Sequence, residues 1–315
     1  MAELLTFDVV VIGAGPAGVS AAVAAAEAGR TVAVVEKNTA LGGAALNTGT
    51  VPSKTLRETA LALSGLRTRD LYGVDLSIRG RVTVADLLRH ERSVKATEQA
   101  RWAGLLNQSG VRVFPGAGRF LDAHTVAVTG PAGEQSLRTD RVIIAIGSGP
   151  ARPPLFPFDH PRVHDSDEIV DIGQLPSTLA VIGAGVIGSE YACVFAALGV
   201  QVHLIDGRDY LLPFLDLDVS EALTTAMTRL GVTFHWKEQV AVCEASEAGP
   251  VTLGLSSGAR LVVDDVLVAA GRESRTSTLD PDAAGLLVGK RGVLCVDEEF
   301  RTNVKHIYAV GDVIG

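Results

Sequence analysis

Cysteine is scarce in this chain: 315 residues contain three, Cys193, Cys243 and Cys295, odd in number and far apart. That argues against a disulfide-stapled scaffold and fits inert thiols in a reducing compartment. Positive charge is short as well. Lys and Arg total 28 against 36 Asp and Glu, a net charge of −8, so no basic nucleic-acid footprint is expected. The N-terminus, MAELLTFD, lacks the basic region of a secretory leader. Val9 to Ala26 is uncharged, yet Gly13, Gly15, Pro16 and Gly18 break it into a strand and a helix, each too short to span a bilayer. A soluble, cytoplasmic protein with no membrane partner is therefore expected. The seven histidines form no spaced cluster, and no metal site is predicted.

Glycine, by contrast, is abundant, and it organises a repeat. Residues 8–37, DVVVIGAGPAGVSAAVAAAEAGRTVAVVEK, and residues 178–208, TLAVIGAGVIGSEYACVFAALGVQVHLIDGR, share one plan. Each has an apolar strand, a GxGxxG, an Ala-rich helix and a second β-branched strand ending in an acid. With 34 glycines, chance alone gives roughly 0.4 such matches, so a lone match is weak. Here two copies place an acid at the same offset, Glu36 after Gly18 and Asp206 after Gly188. Gly13 and Gly183 suit the tight turn, Gly15 and Gly185 a close approach to pyrophosphate, and Gly18 and Gly188 the packing of helix on strand. Each helix N-terminus offers unpaired N–H groups to phosphate. Glu36 and Asp206 would then accept ribose hydroxyls, although each acid taken alone reads better as a solvated strand end.

Two dinucleotides and an α/β architecture follow: two Rossmann-like domains, the second inserted in the first. Expected boundaries are 1–152, 153–275 and a return over 276–315. Helical stretches are predicted within 55–110, strands over 111–128 and 137–146, and a hairpin turn over 129–134. The Pro-rich 151–161 reads as a linker.

The loop LGGAALNTGTVPSK (residues 41–54) is shaped by glycines at 42, 43 and 49 but bears no reactive side chain. VVIGAGPAG, GTVPSKTLRE, HDSDEI, VIGAGVIGSEYA, AAGR and IYAVGD together resemble the two-dinucleotide flavoprotein family of lipoamide dehydrogenase and glutathione reductase. Within that family the chain is similar to the soluble, Si-specific pyridine nucleotide transhydrogenase branch. The resemblance implies FAD on the first unit and NAD or NADP on the second. It further implies that Gly311 and Asp312 return to the FAD domain, the carboxylate on the ribityl and phosphate side. Gly42, Gly43 and Thr50 would cradle the flavin. Pro16, Lys37, Gly118, Gly147, Val186 and Gly271 complete the implied cofactor-binding set.

In the disulfide reductases this loop carries a redox cysteine pair; the matching positions here are Ala45 and Thr50. Disulfide exchange needs a thiolate, so thiol reduction is not expected. The transhydrogenase branch likewise has threonine at the second position but keeps a cysteine at the first, so Ala45 departs from it. The resemblance also places Lys54 near flavin N5, paired with Glu190, where a cation would stabilise reduced flavin. From the residues alone, both read better as solvated charges.

Asp206 suits NAD, and Arg208, two residues on, could reach a 2′-phosphate bidentately or be a surface charge. The expected activity is hydride transfer from NADPH to NAD⁺ through FAD, with NAD(H) and NADP(H) as substrates. An NAD(P)H oxidase or diaphorase, or a silent dinucleotide-binding module, stay open. Family members continue into a dimer-forming domain. This chain stops at Gly315, so an oligomer is expected of a full-length protein and not of a truncated chain.

Overall fold

The computed structural model describes residues 4–68, 84–246 and 249–315. Contacts divide the chain into two compact units, Met1–Val51 with Ser93–Gly149 and Arg272–Gly315, and Pro52–Arg92 with Pro150–Gly271. The sequence reading keeps residues 52–92 in the first domain. In the structure Leu56 and Ala60, on the helix Thr50–Thr68, bury against Val194 and Leu198 of the second unit.

In the first unit, parallel strands run in the order Arg112–Pro115, Val32–Glu36, Leu4–Ile12 and Gly133–Ile144. Ile307–Ala309 lies parallel beside Val142–Ile144. Thr125–Gly130 and Ala117–Asp122 extend the sheet antiparallel from its other half. The run 111–128 is thus three strands rather than one. At Gly116 a side chain would strike the Thr129 carbonyl at 2.7 Å, and Asp122 Oδ1 accepts the His124 N–H at 2.7 Å to make a second turn. The expected hairpin closes between Gly130 and Gly133.

The second unit has an all-parallel sheet, ordered Val232–Trp236, Gln201–Asp206, Thr178–Ile182, Asp265–Val268 and Val163–Asp165. An antiparallel meander, Val240–Ala245, Val251–Leu255 and Arg260–Val263, shares a core with it through Leu253, Ile205 and Val266. VAVVE and DVLV are buried at every position, the continuous apolar run expected of strands covered on both faces. Each such Val or Leu contributes about 1.5–3 kcal/mol by leaving water. Because the central strands are parallel, Ile12, Glu36, Ile144 and Ala309 end on one edge of the first sheet, and Ile182, Asp206 and Val268 on one edge of the second. Those edges are where the loops that follow gather. Among the described residues, no helix is long and apolar enough to cross a membrane.

Candidate functional site

The two GxGxxG turns are built alike. Gly13 and Gly183 take φ of 106° and 104°, and a Cβ at either would run into the carbonyl of Ala145 (2.3 Å) or Ala269 (2.6 Å). Gly18 and Gly188 pack so closely that a Cβ would lie 1.9 Å from the carbonyl oxygen of Gly13 or Gly183. The middle glycines differ in kind. Gly15 and Gly185 have φ of −75° and −77°, which any residue adopts. A Cβ at Gly15 would meet nothing nearer than the Gly43 Cα at 3.9 Å, and one at Gly185 nothing within 4 Å. Neither strain nor protein packing calls for glycine there. Both turns are left open to a closely approaching ligand.

Behind each turn begins a helix, Pro16–Glu27 or Val186–Ala197, with no side-chain cap and no acid in its first turn. Pro16 and Val186 stand exposed at the first helical position. The orphan N–H groups and the positive end of the dipole are left for an anion. Both cradles fit a dinucleotide pyrophosphate.

The acid at the end of each second strand braces its own turn. Glu36, buried at the end of its strand, accepts the Ala14 N–H at Oε2 (2.8 Å) and the Asn38 N–H at Oε1 (2.8 Å). Asp206 repeats the pattern, with the Ala184 N–H on Oδ2 (2.6 Å) and the Arg208 N–H on Oδ1 (2.9 Å). Each carboxylate thereby ties its glycine turn to the end of the neighbouring strand. Asp206 receives two bonds more, from Arg208 Nε to Oδ1 (2.8 Å) and from Arg208 Nη2 to Oδ2 (2.7 Å). Burial opposes its charge, but these side-chain bonds and the two backbone N–H groups outweigh it and hold the carboxyl at about 2. Lys37 is exposed beside Glu36.

The loop at 41–51 docks on the first turn, the Gly42 N–H donating to the Ala14 carbonyl at 2.8 Å. Gly42 and Gly43 take φ of 107° and 53°, and a Cβ at Gly43 would lie 2.9 Å from the Gly15 Cα. Asn47, which the sequence reading passed over, holds the loop closed. Its amide donates to the carbonyls of Leu41 (3.1 Å) and Gly43 (2.9 Å) and accepts from Gln99 Nε2 (2.7 Å). Lys95 Nζ adds a bond to the Asn47 carbonyl at 3.2 Å. Gln99 and Lys95 sit on the helix Val84–Gln108, some fifty positions away in sequence, where no local pattern announces them. Thr50 is exposed at the start of the next helix.

Gly311, with φ of 75°, brings the C-terminal turn against the first helix; a Cβ there would lie 2.9 Å from that of Ala17. Asp312 Oδ2 accepts the Ser148 hydroxyl at 3.3 Å, and Arg272 donates to the Ser148 hydroxyl (2.8 Å) and carbonyl (2.9 Å). Ser148 and Arg272 were not foreseen. Gly147 (φ 66°) and Gly271 (φ 110°) lie at the strand-end turns that the sequence reading assigned to the two sites. Gly118 sits mid-strand, where a Cβ would crowd Ile12 and Val35 at 3.1 and 3.2 Å, so packing accounts for it.

Within the second unit, Lys54 Nζ lies 2.5 Å from Glu190 Oε1, and the Ser53 hydroxyl reaches the same oxygen at 3.5 Å. The Lys54 side chain remains 54% exposed, so its charge is anchored but accessible. The cysteines stand apart from this. All three are free; burial, aided by the charge of Glu190, raises the Cys193 thiol, and burial pushes Cys243 up to about 11. Neither of these two supplies a thiolate at neutral pH. His164 lies 3.5 Å from Asp265, beside the sheet edge.

The chain is 46% identical over 311 residues to the soluble pyridine nucleotide transhydrogenase of Mycobacterium bovis (strain BCG / Pasteur 1173P2), which spans 98% of this chain and 66% of that protein. A protein of the same name from Pseudomonas putida is 41% identical over 310 residues, again 98% of this chain and 66% of its own length. This chain thus spans about two thirds of those relatives. Among solved structures, LpdA from Mycobacterium tuberculosis superposes with a TM-score of 0.89 at 28% identity, covering 99% of this chain and 68% of that one. The flavoprotein disulfide reductase RclA from Escherichia coli gives 0.87 at 29%, covering 98% and 66%. Residues 7–315 match the pyridine nucleotide-disulphide oxidoreductase family, and the chain belongs to that family.

Proposed function

We propose that this chain is the nucleotide-binding part of a flavoprotein oxidoreductase that passes hydride from NADPH to NAD⁺ without a redox disulfide. One observation carries the reading: two complete dinucleotide cradles accompany a flavin-type loop whose cysteine positions are Ala45 and Thr50. The names of the transhydrogenase relatives support it.

FAD, when bound, supplies a centre that takes up hydride from one nicotinamide and gives it to another. The first turn and helix N-terminus would hold its pyrophosphate, Glu36 its adenosine ribose, and the loop braced by Asn47 its flavin end. Asp312, which accepts a hydrogen bond from the Arg272-held Ser148, follows Gly311, whose turn packs on the same cradle's helix. The second turn, Asp206 and Arg208 receive NAD(H) or NADP(H) in alternation. Lys54, held by Glu190, would supply the cation that the family resemblance implies for the flavin.

The test is anaerobic. Purified protein loaded with FAD is mixed with NADPH, and the flavin should bleach; a NAD⁺ analogue with its own absorbance should then be reduced as the flavin colour returns. Bleaching reversed only by oxygen or a quinone would replace transhydrogenation with the oxidase or diaphorase reading. A colourless protein that ignores added FAD would sink the flavin assignment.

A further inference from the structure

Asp206 is saturated. An ionised carboxylate offers about four acceptor positions on its two oxygens. Here the Ala184 N–H and Arg208 Nη2 fill Oδ2, and the Arg208 N–H and Arg208 Nε fill Oδ1. No position is left for a ribose hydroxyl. Glu36, built on the same plan, accepts two bonds among the described residues and keeps two positions open.

Arg208, in contrast, is only half committed. It meets Asp206 through Nε and Nη2; its Nη1 has no partner among the described residues, and the side chain is 42% exposed. Five donors in a fixed fork allow one edge to hold a carboxylate while the other meets a phosphate.

We infer that the Asp206–Arg208 pair is a latch whose closed form is the NADP-ready form and whose opening is what NAD requires. With the latch closed, Asp206 is neutralised against a 2′-phosphate and Arg208 presents its free edge to it. A nucleotide without that phosphate must lift Arg208 off the carboxylate before its ribose hydroxyls find an acceptor. NADP(H) therefore meets a preorganised site, whereas NAD(H) carries the cost of breaking a doubly hydrogen-bonded ion pair. One pair serves both substrates by moving one side chain. This deepens the proposed exchange of two nucleotides at one site and rests on that site being the second cradle.

The counter-intuitive consequence is that removing Arg208 strengthens binding of the unphosphorylated nucleotide. Calorimetric titration of ADP-ribose and of 2′-phospho-ADP-ribose into the purified chain tests it without flavin or turnover. In Arg208→Ala, ADP-ribose should bind about two- to fivefold tighter, the range of a partly exposed ion pair released before binding. The 2′-phosphorylated ligand should bind roughly 10- to 100-fold weaker. Arg208→Lys, which cannot cover both carboxylate oxygens, should also tighten ADP-ribose while keeping part of the phosphate preference. Both variants are checked by thermal melting, so that a folding defect is not read as a binding change. ADP-ribose affinity unchanged or weakened in two well-folded variants would overturn the latch. If NADPH fails to pass hydride to NAD⁺ yet the two ligands respond as stated, the latch stands and the transhydrogenase reading falls.

Discussion

The two halves of the repeat make nearly the same object, and the acid at the end of the second strand shows where they part. In the first copy Glu36 accepts the Ala14 and Asn38 N–H groups; in the second, Asp206 accepts those of Ala184 and Arg208. The backbone contacts correspond one to one. The difference is the residue two beyond the acid, Asn38 or Arg208, because only the arginine folds its side chain back onto the carboxylate. The two copies thus share one frame, and a single side chain separates an open acceptor from a latched one. An open acid suits a resident cofactor that differs little from one turnover to the next. A latched one suits a site visited in turn by nucleotides with and without a 2′-phosphate.

Glycine substitutions should break the comparison most severely. Gly18→Ala and Gly188→Ala each drive a Cβ toward a carbonyl 1.9 Å away. Overpacking of that kind costs about 1–3 kcal/mol or more, and melting temperatures should fall in both variants. Gly15→Ala and Gly185→Ala meet no such obstacle and should melt near the parent while losing dinucleotide. Equal melting loss in all four would mean that the middle glycines are structural.

Asn47→Ala comes next. It removes three side-chain bonds from the loop at 41–51, each worth about 0.5–1.5 kcal/mol. The effect should fall on FAD affinity and leave ADP-ribose binding at the second copy unchanged, as read by parallel titrations. Loss of both would show that Asn47 supports the whole chain and not one site.

A smaller change would sharpen the contrast directly. Asn38→Arg should give Glu36 the side-chain partner that Asp206 has and weaken FAD by about two- to fivefold. Fluorescence titration of apoprotein would read it, and unchanged affinity would deny that side chain its role.

Acid probes the latched carboxylate alone. The Asp206 carboxyl is depressed to about 2 in the folded chain and near 3.9 unfolded. A depressed pKa gives stability that is present above the unfolded value and lost as pH falls through the folded one. Asp206→Asn should therefore be less stable than the parent by a constant margin from about pH 5 to 8, and the margin should close between about pH 4 and 2. Denaturant melts at several pH values would show it. A margin that changes near neutrality would point to another group.

How much of this was legible in the sequence follows from the range of each interaction. The glycine turns, their helices and the acids at a fixed offset lie within one strand–helix–strand unit, so spacing reveals them. The ends of parallel strands likewise place Gly311 and Asp312 where the fold gathers its loops. Lys54 and Glu190 are 136 positions apart and were paired only through the family resemblance. Asn47 with Gln99, and Ser148 with Arg272, had no such help; polar pairs between distant segments leave no periodicity to read. That Leu56 and Ala60 pack on Val194 and Leu198 was not legible, because helical spacing shows which face is apolar but not which partner covers it. Arg208 was noticed as a phosphate reader, yet its return to Asp206 depends on rotamers that no sequence pattern fixes.

The assignment of the open acid to the resident cofactor and the latched one to the exchanging substrate is tested most directly by flavin content. Wild-type, Glu36→Ala and Asp206→Ala proteins are saturated with FAD, passed through a desalting column, and assayed for flavin per folded chain and for bleaching by NADPH without oxygen. The expected result is that wild-type and Asp206→Ala keep their flavin, Glu36→Ala loses it, and the flavin of Asp206→Ala responds differently to NADPH from that of wild-type. Flavin that departs with Asp206 and stays without Glu36, or that departs equally from both, would contradict it.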